Sequence, residues 1–206
     1  MSPATQHESA RPAGLVIAGG RSVRFGAEKA CALLGGKPLL LWAVERLQPA
    51  CSVVAVNARP GTEAEKLAQT EGLTVLHDAP GDAAGPLAGV RAGLRWAAAI
   101  GARTLAVSPC DAPLLPEDLY QRLVAAAGAG PAMAETADGP QPLCALWPVS
   151  ALGALESALA GGAHPAIWRT LDDIGAQRVR FSDPAAFANI NTRAELELVA
   201  RAFARR

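Results

Sequence analysis

No run of apolar residues in this chain approaches the length needed to cross a membrane. Neither sign of charge is in excess: 19 Lys and Arg face 19 Asp and Glu, a formal net charge of zero. The basic surplus usual in a nucleic-acid or anionic-membrane binder is therefore missing, and neither partner is expected. Cysteine is sparse. Cys31, Cys51, Cys110 and Cys144 are widely spaced with no C-x-x-C pair, which reads as reduced, mostly buried thiols in a cytoplasmic protein. The opening MSPATQHESARPAG has no apolar signal-peptide core, so residues 1–13 are expected to form a disordered tail. Two standard nucleotide loops are also lacking. The only candidate for a P-loop ending, Gly36-Lys37, runs into Pro38, and Gly19 and Gly20 are adjacent rather than spaced as G-x-G-x-x-G.

What is present suits a folded domain. The chain has 206 residues, 50% hydrophobic and 18% charged, enough for one sizeable core and too apolar for wholesale disorder. Its most informative stretch is LVIAGGRSVRFGAEK, from Leu15 to Lys29. A short apolar run, Leu15-Val16-Ile17, reads as a buried strand that stops at Ala18-Gly19-Gly20. Arg21, Ser22, Arg24, Gly26 and Lys29 follow closely. Glycines allow bare N–H groups to face a ligand, and successive N–H groups form an anion nest. Guanidinium forks grip phosphate oxygens bidentately while lysine supplies a point charge. The stretch reads as a nucleotide-phosphate loop rather than an ordinary strand-to-helix turn.

The rest of the chain alternates. Helices are expected at Pro38–Leu47, Gly61–Gln69 and Pro86–Ile100, and strands at Ser52–Asn57, Leu73–His77 and Thr104–Ser108. This spacing predicts an α/β fold: a three-layer αβα arrangement around a mostly parallel, Rossmann-like sheet. Ala125–Gly130 reads as a helix end and turn. Beyond Met133 the pattern loosens, with Pro140–Trp147 as a loop feeding a strand and helices at Ser150–Leu159 and His164–Leu171. Gln177–Phe181 reads as an antiparallel edge strand, and a helix from Arg193 to Ala204 closes the chain. Ligands of such sheets sit beyond the carboxyl ends of the strands, where Gly19-Gly20, Asn57, Asp78 and Asp111 should gather.

Asp111 is the strongest single candidate. Mg²⁺ at a phosphoryl site takes one or two carboxylates plus phosphate oxygens and water. The segment Ser108-Pro109-Cys110-Asp111-Ala112-Pro113 sets a carboxylate just past a buried strand. The alternative, a cap for the next helix, is weakened because Pro116, Glu117 and Asp118 look like that helix start. Gly85-Pro86-Leu87-Ala88-Gly89 opens a helix and could admit a base or ribose close to the backbone, or be merely a common helix start. His77 reads as a satisfied core or edge histidine. Asn191-Thr192 with Glu195 behind it has the form of a helix cap.

AGG-R-S-x-R-F-G-x-x-K resembles the signature loop of small nucleotidyltransferases. With Asn57, His77-Asp78, G-P-L-A-G, P-C-D-x-P, P-L-C-A-L-W and F-x-N-I-N-T in collinear order from Gly14 to Leu198, the chain is similar to the molybdenum cofactor guanylyltransferase family. Ile17 stands where leucine is more usual, a nearly volume-neutral departure. Ala18-Gly19-Gly20 and Pro86-Leu87-Ala88-Gly89 match the guanine-specific pattern rather than that of the related cytidylyltransferases.

The resemblance implies a single nucleotidyltransferase domain over residues 14–206, nucleotide-binding in its N-terminal half and pterin-binding in its C-terminal half. It implies transfer of GMP from GTP to the terminal phosphate of Mo-molybdopterin, with Mg²⁺ as cofactor and pyrophosphate released. Asp111 would hold the metal. Lys29 and Arg24 would stabilise the leaving group. Ile17, Ala18, Gly19, Gly20, Ser22, Asn57, Asp78, Gly85, Pro86, Leu87, Gly89 and Asn189 would line the nucleotide. The pterin is expected near Pro142–Trp147 and His164–Arg169, and molybdoenzymes or their chaperones would receive the product. A cytidylyltransferase or a sugar-phosphate nucleotidyltransferase is the alternative.

Overall fold

The computed structural model describes residues 11–19, 28–80, 85–128, 130–160 and 165–203. Gly20, Arg21, Ser22, Arg24 and His164, named above, lie outside these residues, as do residues 1–10. Arg11, assigned to the tail by the sequence, belongs to the fold instead: its guanidinium donates to the carbonyls of Gln48 and Pro49 at 2.9 and 3.0 Å.

Among the described residues, seven strands form one sheet. They are β1 (Ala13–Ile17), β4 (Val53–Asn57), β5 (Thr74–Leu76), β6 (Thr104–Pro109), β7 (Ala132–Thr136), β8 (Gly139–Pro148) and β9 (Gln177–Arg180), in the order β5-β4-β1-β6-β8-β7-β9. A two-residue hairpin of β2 (Leu33–Leu34) and β3 (Lys37–Pro38) stands apart. The helices are α1 (Leu39–Leu47), α2 (Glu63–Thr70), α3 (Pro86–Ala99), α4 (Leu119–Ala127), α5 (Leu152–Leu159), α6 (Ile167–Asp173) and α7 (Arg193–Phe203). Among the described residues no helix is long and apolar enough to cross a membrane.

Successive residues of the central strands point to opposite faces, and both faces are apolar, which is what a sheet covered on both sides requires. Val16, Val56 and Ala106 pack on one face with Leu40 and Val44 of α1, Ala64 and Ala68 of α2, and Leu119 and Leu123 of α4. Leu15, Ala55, Leu105 and Val107 pack on the other with Leu87, Val90 and Leu94 of α3, Leu155 of α5 and Leu171 of α6. The result is the expected mixed α/β architecture with a mostly parallel sheet.

The far side of the sheet differs from the sequence reading in detail. The reversed strand is β8, which runs antiparallel to both β6 and β7. Gln177–Arg180, expected to be antiparallel, lies at the edge but runs parallel to β7. Pro140–Trp147 is not a loop leading into a strand; all of it belongs to β8. Pro140 pairs with Glu135 of β7 alone and Pro142 falls in the register shift between Gln141 and Ala145, because β6 engages just the stretch from Ala145 to Pro148. An N–H missing on the unpaired side costs no ladder bond. β7 escaped the sequence reading altogether, although Asp138-Gly139 is a hairpin signal: Gly139 has φ +113° at that turn.

Candidate active site

Register sets the site. Ile17, the last residue of β1, is paired with Asn57 on one side and Pro109 on the other, and Asn57 is paired in turn with Leu76. Four strands therefore end level, and the residues just beyond them share one edge. Two short-range bonds prolong the ladder: Ala18 N–H donates to the Asn57 carbonyl at 2.9 Å, and Cys110 N–H to the Ile17 carbonyl at 3.3 Å. Ala18, leaving β1, is held between the neighbouring strand exits in this way.

At the β6 exit, Asp111 Oδ2 accepts a hydrogen bond from Lys29 Nζ at 2.7 Å. The two side chains are only 21% and 15% exposed. Partial burial makes the charge-assisted contact stronger than an open surface pair. Lys29 opens a short 3-10 turn, Lys29–Cys31, and the residue before it is anchored: Glu28 Oε2 accepts from the Ala64 N–H at 2.8 Å, in the first turn of α2. A carboxylate there satisfies a helix-end donor and suits the positive helix end. Glu28 thus ties the end of the glycine-rich stretch to the frame, a role that the sequence reading missed because its partner lies 36 positions away.

The C-terminal segment braces the same pair. Ile190 N–H donates to the Asp111 carbonyl at 2.8 Å, and Lys29 Nζ donates to Asn191 Oδ1 at 3.1 Å. A capping box supports this geometry. Thr192 Oγ1 accepts from Glu195 N–H at 3.2 Å, and Glu195 Oε2 accepts from the N–H groups of Thr192 at 3.3 Å and Asn191 at 2.5 Å. The cap is Thr192, which leaves the Asn191 side chain directed at Lys29. Asn189, favoured from sequence, is exposed and offers its carbonyl to Asn191 Nδ2 at 3.4 Å. Asn191 is the asparagine that reaches the Lys29–Asp111 pair.

At the β4 exit a second cluster forms. Asn57 is 3% exposed, and its amide donates to the Leu76 carbonyl at 3.2 Å and to Asp78 Oδ1 at 2.9 Å. Gly89, in the first turn of α3, lies against it: a Cβ there would sit 2.4 Å from Asn57 Oδ1 and 2.9 Å from Ile17 Cδ1. The glycine makes room for a neighbouring side chain. Gly85 and Pro86 begin α3 as its N-cap and first helical residue. The side chain of Leu87 is fully buried in the core, so only its backbone can face a ligand. His77 is an edge histidine 2.7 Å from Glu65 Oε1. Glu65 is held below the ordinary glutamate range, first by the Gly61 N–H and then by His77.

The C-terminal stretches expected to meet the acceptor part company. Trp147 pairs with Leu105, four positions back along β6 from the strand end, about 13 Å from the carboxyl edge. It is fully buried and belongs to the core. Pro142 and Leu143, nearer that edge, are half-buried, and Trp168 on α6 is 37% exposed. Burial pushes the Cys110 thiol up to about 12 and raises Cys144 as well, with the Asp111 charge adding to both. These thiols are packing groups rather than nucleophiles.

This edge can position an anion and a cation together: a carboxylate, an ammonium and an amide sit at the end of a glycine-rich stretch, beyond a parallel sheet. Known proteins share the sequence pattern and the fold. The model of the MobA-like NTP transferase domain family matches residues 14–174. A molybdenum cofactor guanylyltransferase of Cereibacter sphaeroides is 41% identical over 184 residues, covering 89% of this chain and 92% of that protein. One of Rhodobacter capsulatus is 41% identical over 188 residues, covering 90% and 93%. The crystal structure of molybdopterin-guanine dinucleotide biosynthesis protein A from Archaeoglobus fulgidus superposes with a TM-score of 0.74 at 25% identity, over 94% of this chain and all of that one. A Methanothermobacter nucleotidyl transferase reaches 0.74 at 20% identity over 95% of this chain and 98% of its own, a likeness of fold. The chain therefore belongs to the family of MobA-like NTP transferase domains.

Proposed function

We propose that this chain transfers GMP from GTP to the terminal phosphate of molybdenum-loaded molybdopterin, giving the guanine dinucleotide form of the cofactor and pyrophosphate. The observation that carries the reading is the Lys29–Asp111 pair, 2.7 Å apart at the level ends of β1, β4 and β6, in a chain 41% identical to guanylyltransferases over most of its length. A terminal phosphate oxygen of the acceptor forms a bond to the α-phosphorus of GTP, and the bond from that phosphorus to the bridging oxygen breaks. The attacking phosphate is already an anion, so no general base is needed. Rate comes from alignment and charge neutralisation.

The donor set suits Mg²⁺. Asp111 offers a half-buried carboxylate, and among the described residues no group of three or more His, Cys, Asp or Glu forms a cage. A cation shared with substrate phosphates needs only one or two protein carboxylates. When bound at Asp111, Mg²⁺ supplies charge neutralisation for the α- and β-phosphates. Lys29 provides a cation for the departing pyrophosphate, and Asn191 keeps that ammonium on the edge. Gly19 and Gly20 supply backbone N–H groups to the phosphates, the Ala18 N–H being taken by the Asn57 carbonyl, and Arg24 adds a further cation. Asn57 and Asp78 hold the nucleoside beside α3. The acceptor approaches from the β8 side, past Pro142 and Leu143, and the finished cofactor passes to molybdoenzymes or their chaperones in the cytoplasm.

The test is turnover by the purified protein with Mg²⁺ and molybdenum-loaded molybdopterin, given GTP and CTP in parallel. Pyrophosphate release and product mass are followed. A guanine dinucleotide formed preferentially supports the reading. A cytosine product overturns the base assignment, and no product with either nucleotide overturns the activity.

A further inference from the structure

The carboxylate assigned to a cation already holds one. Asp111 Oδ2 accepts from Lys29 Nζ at 2.7 Å, and the same ammonium donates to Asn191 Oδ1 at 3.1 Å. Both members of the ion pair are mostly shielded from water, where like charges repel far more strongly than in bulk solvent. A divalent cation arriving alone at Asp111 would have to share the carboxylate with the ammonium or displace the ammonium from it. The lysine stem permits a third outcome. Glu28 pins the backbone beside Lys29 to the Ala64 N–H, while four methylenes let the ammonium swing without moving that backbone. A nucleoside triphosphate bound along the edge brings several negative charges and offers the ammonium an anionic alternative to Asp111.

We propose that Lys29 is a placeholder for the cation: in the nucleotide-free protein its ammonium occupies Asp111, and it yields to the divalent ion when a nucleoside triphosphate draws it onto phosphate. This rests on the assignment of Asp111 as a cation ligand and goes beyond it, because it fixes the order of events. Nucleotide and cation bind cooperatively, and the lysine that completes the phosphate site is the element through which they are coupled. By reciprocity, the cation must raise nucleotide affinity by the same factor that nucleotide raises cation affinity. Free cation is excluded from the empty site, so the ion enters with its nucleotide.

Mn²⁺ binding to the full chain tests this directly, read by electron paramagnetic resonance of the free ion and by water-proton relaxation. Without nucleotide, the Lys29→Met variant is expected to bind Mn²⁺ at least tenfold more tightly than wild type. Lys29→Arg, which keeps the charge, is expected to stay weak. The double variant Lys29→Met/Asp111→Asn should lose the gain. Circular dichroism confirms that each variant is folded. Equal Mn²⁺ affinity in wild type and Lys29→Met overturns the exchange, as does a Lys29→Arg variant that binds as tightly as Lys29→Met. The underlying assignment has its own readout: with a non-hydrolysable GTP analogue present, wild type should enhance water-proton relaxation and Asp111→Asn should not. Retained enhancement in Asp111→Asn removes the cation ligand and the placeholder together.

Discussion

Replacing Gly89 with alanine probes how the β4 exit of the edge is built. The new Cβ would lie 2.4 Å from Asn57 Oδ1, 2.8 Å from Asn57 Cγ and 2.9 Å from Ile17 Cδ1, all too close for carbon. The helix or the amide must therefore move. If Asn57 stays, the overpacking costs up to about 3 kcal/mol. If it rotates away, a buried amide loses a bond to the Leu76 carbonyl, about 1 kcal/mol, and one to the Asp78 carboxylate, about 2 kcal/mol. Either route is offset by about 1 kcal/mol, since alanine is the better helix former. The net expectation is a loss of about 2 kcal/mol in urea-induced unfolding, together with weaker nucleotide binding. A double-mutant cycle sharpens the test, because removing the amide in Asn57→Ala should make Gly89→Ala nearly neutral. A loss below about 0.5 kcal/mol in the wild-type background, or simple additivity in the cycle, would refute the steric argument.

Asp111→Ala should lower turnover by at least about a hundredfold, as expected for losing a centre of transition-state charge neutralisation. The same variant should stay folded but lose more than the ~1 kcal/mol of an open surface pair, because both side chains are largely buried and Lys29 keeps, of its Asp111 and Asn191 acceptors, only Asn191; unchanged turnover would end the metal assignment. The Glu65 carboxyl is depressed in the folded protein by the Gly61 N–H and His77. Its contribution to stability is therefore present above the ordinary glutamate value of 4.5 and is lost as pH falls through the lower folded value. Thermal unfolding followed from pH 7 down to pH 3 should show a shallower acid loss in Glu65→Gln than in wild type. Burial holds Cys51 and Cys110 up to about 12 and raises Cys144 and Cys31 too. A thiol reagent at pH 8 should accordingly label the native protein slowly and all four cysteines in guanidinium. Rapid native labelling of Cys110 or Cys144 would contradict their place in the core.

Much of the frame was legible because its signals are local. β1, β4 and β6 read as short apolar runs ending in glycine or a polar residue, and α1 and α3 as periodic apolar faces, within one or two positions of their observed ends. Legibility failed beyond Met133, where the sheet stops being parallel. Proline in Pro140-Gln141-Pro142 is a strong local sign of a loop, yet β8 tolerates it because that half of the strand has a neighbour on one side only and Pro142 falls at a shift in register. Which side of a strand is unpartnered is a fact about the whole sheet. The direction of β9 was misread for the same reason: a short run of four residues carries no mark of which neighbour it will join.

The candidate site divides along the same line. The residue types at the strand exits, from Gly19 through Asn57 and Asp78 to Asp111, stand in the sequence as changes from apolar to polar at the end of a run. Their meeting on one edge follows from strand–helix alternation, since parallel strands must all end on the same side. Tertiary structure alone decided which side chains touch. It chose Asn191 over Asn189 for Lys29, gave Glu28 to the start of α2, and set Gly89 against the Asn57 side chain. A sequence carries the periodicity and chemistry of each segment. Contacts between residues 36 or 162 positions apart depend on register and on the packing of helix against sheet, which no local signal encodes.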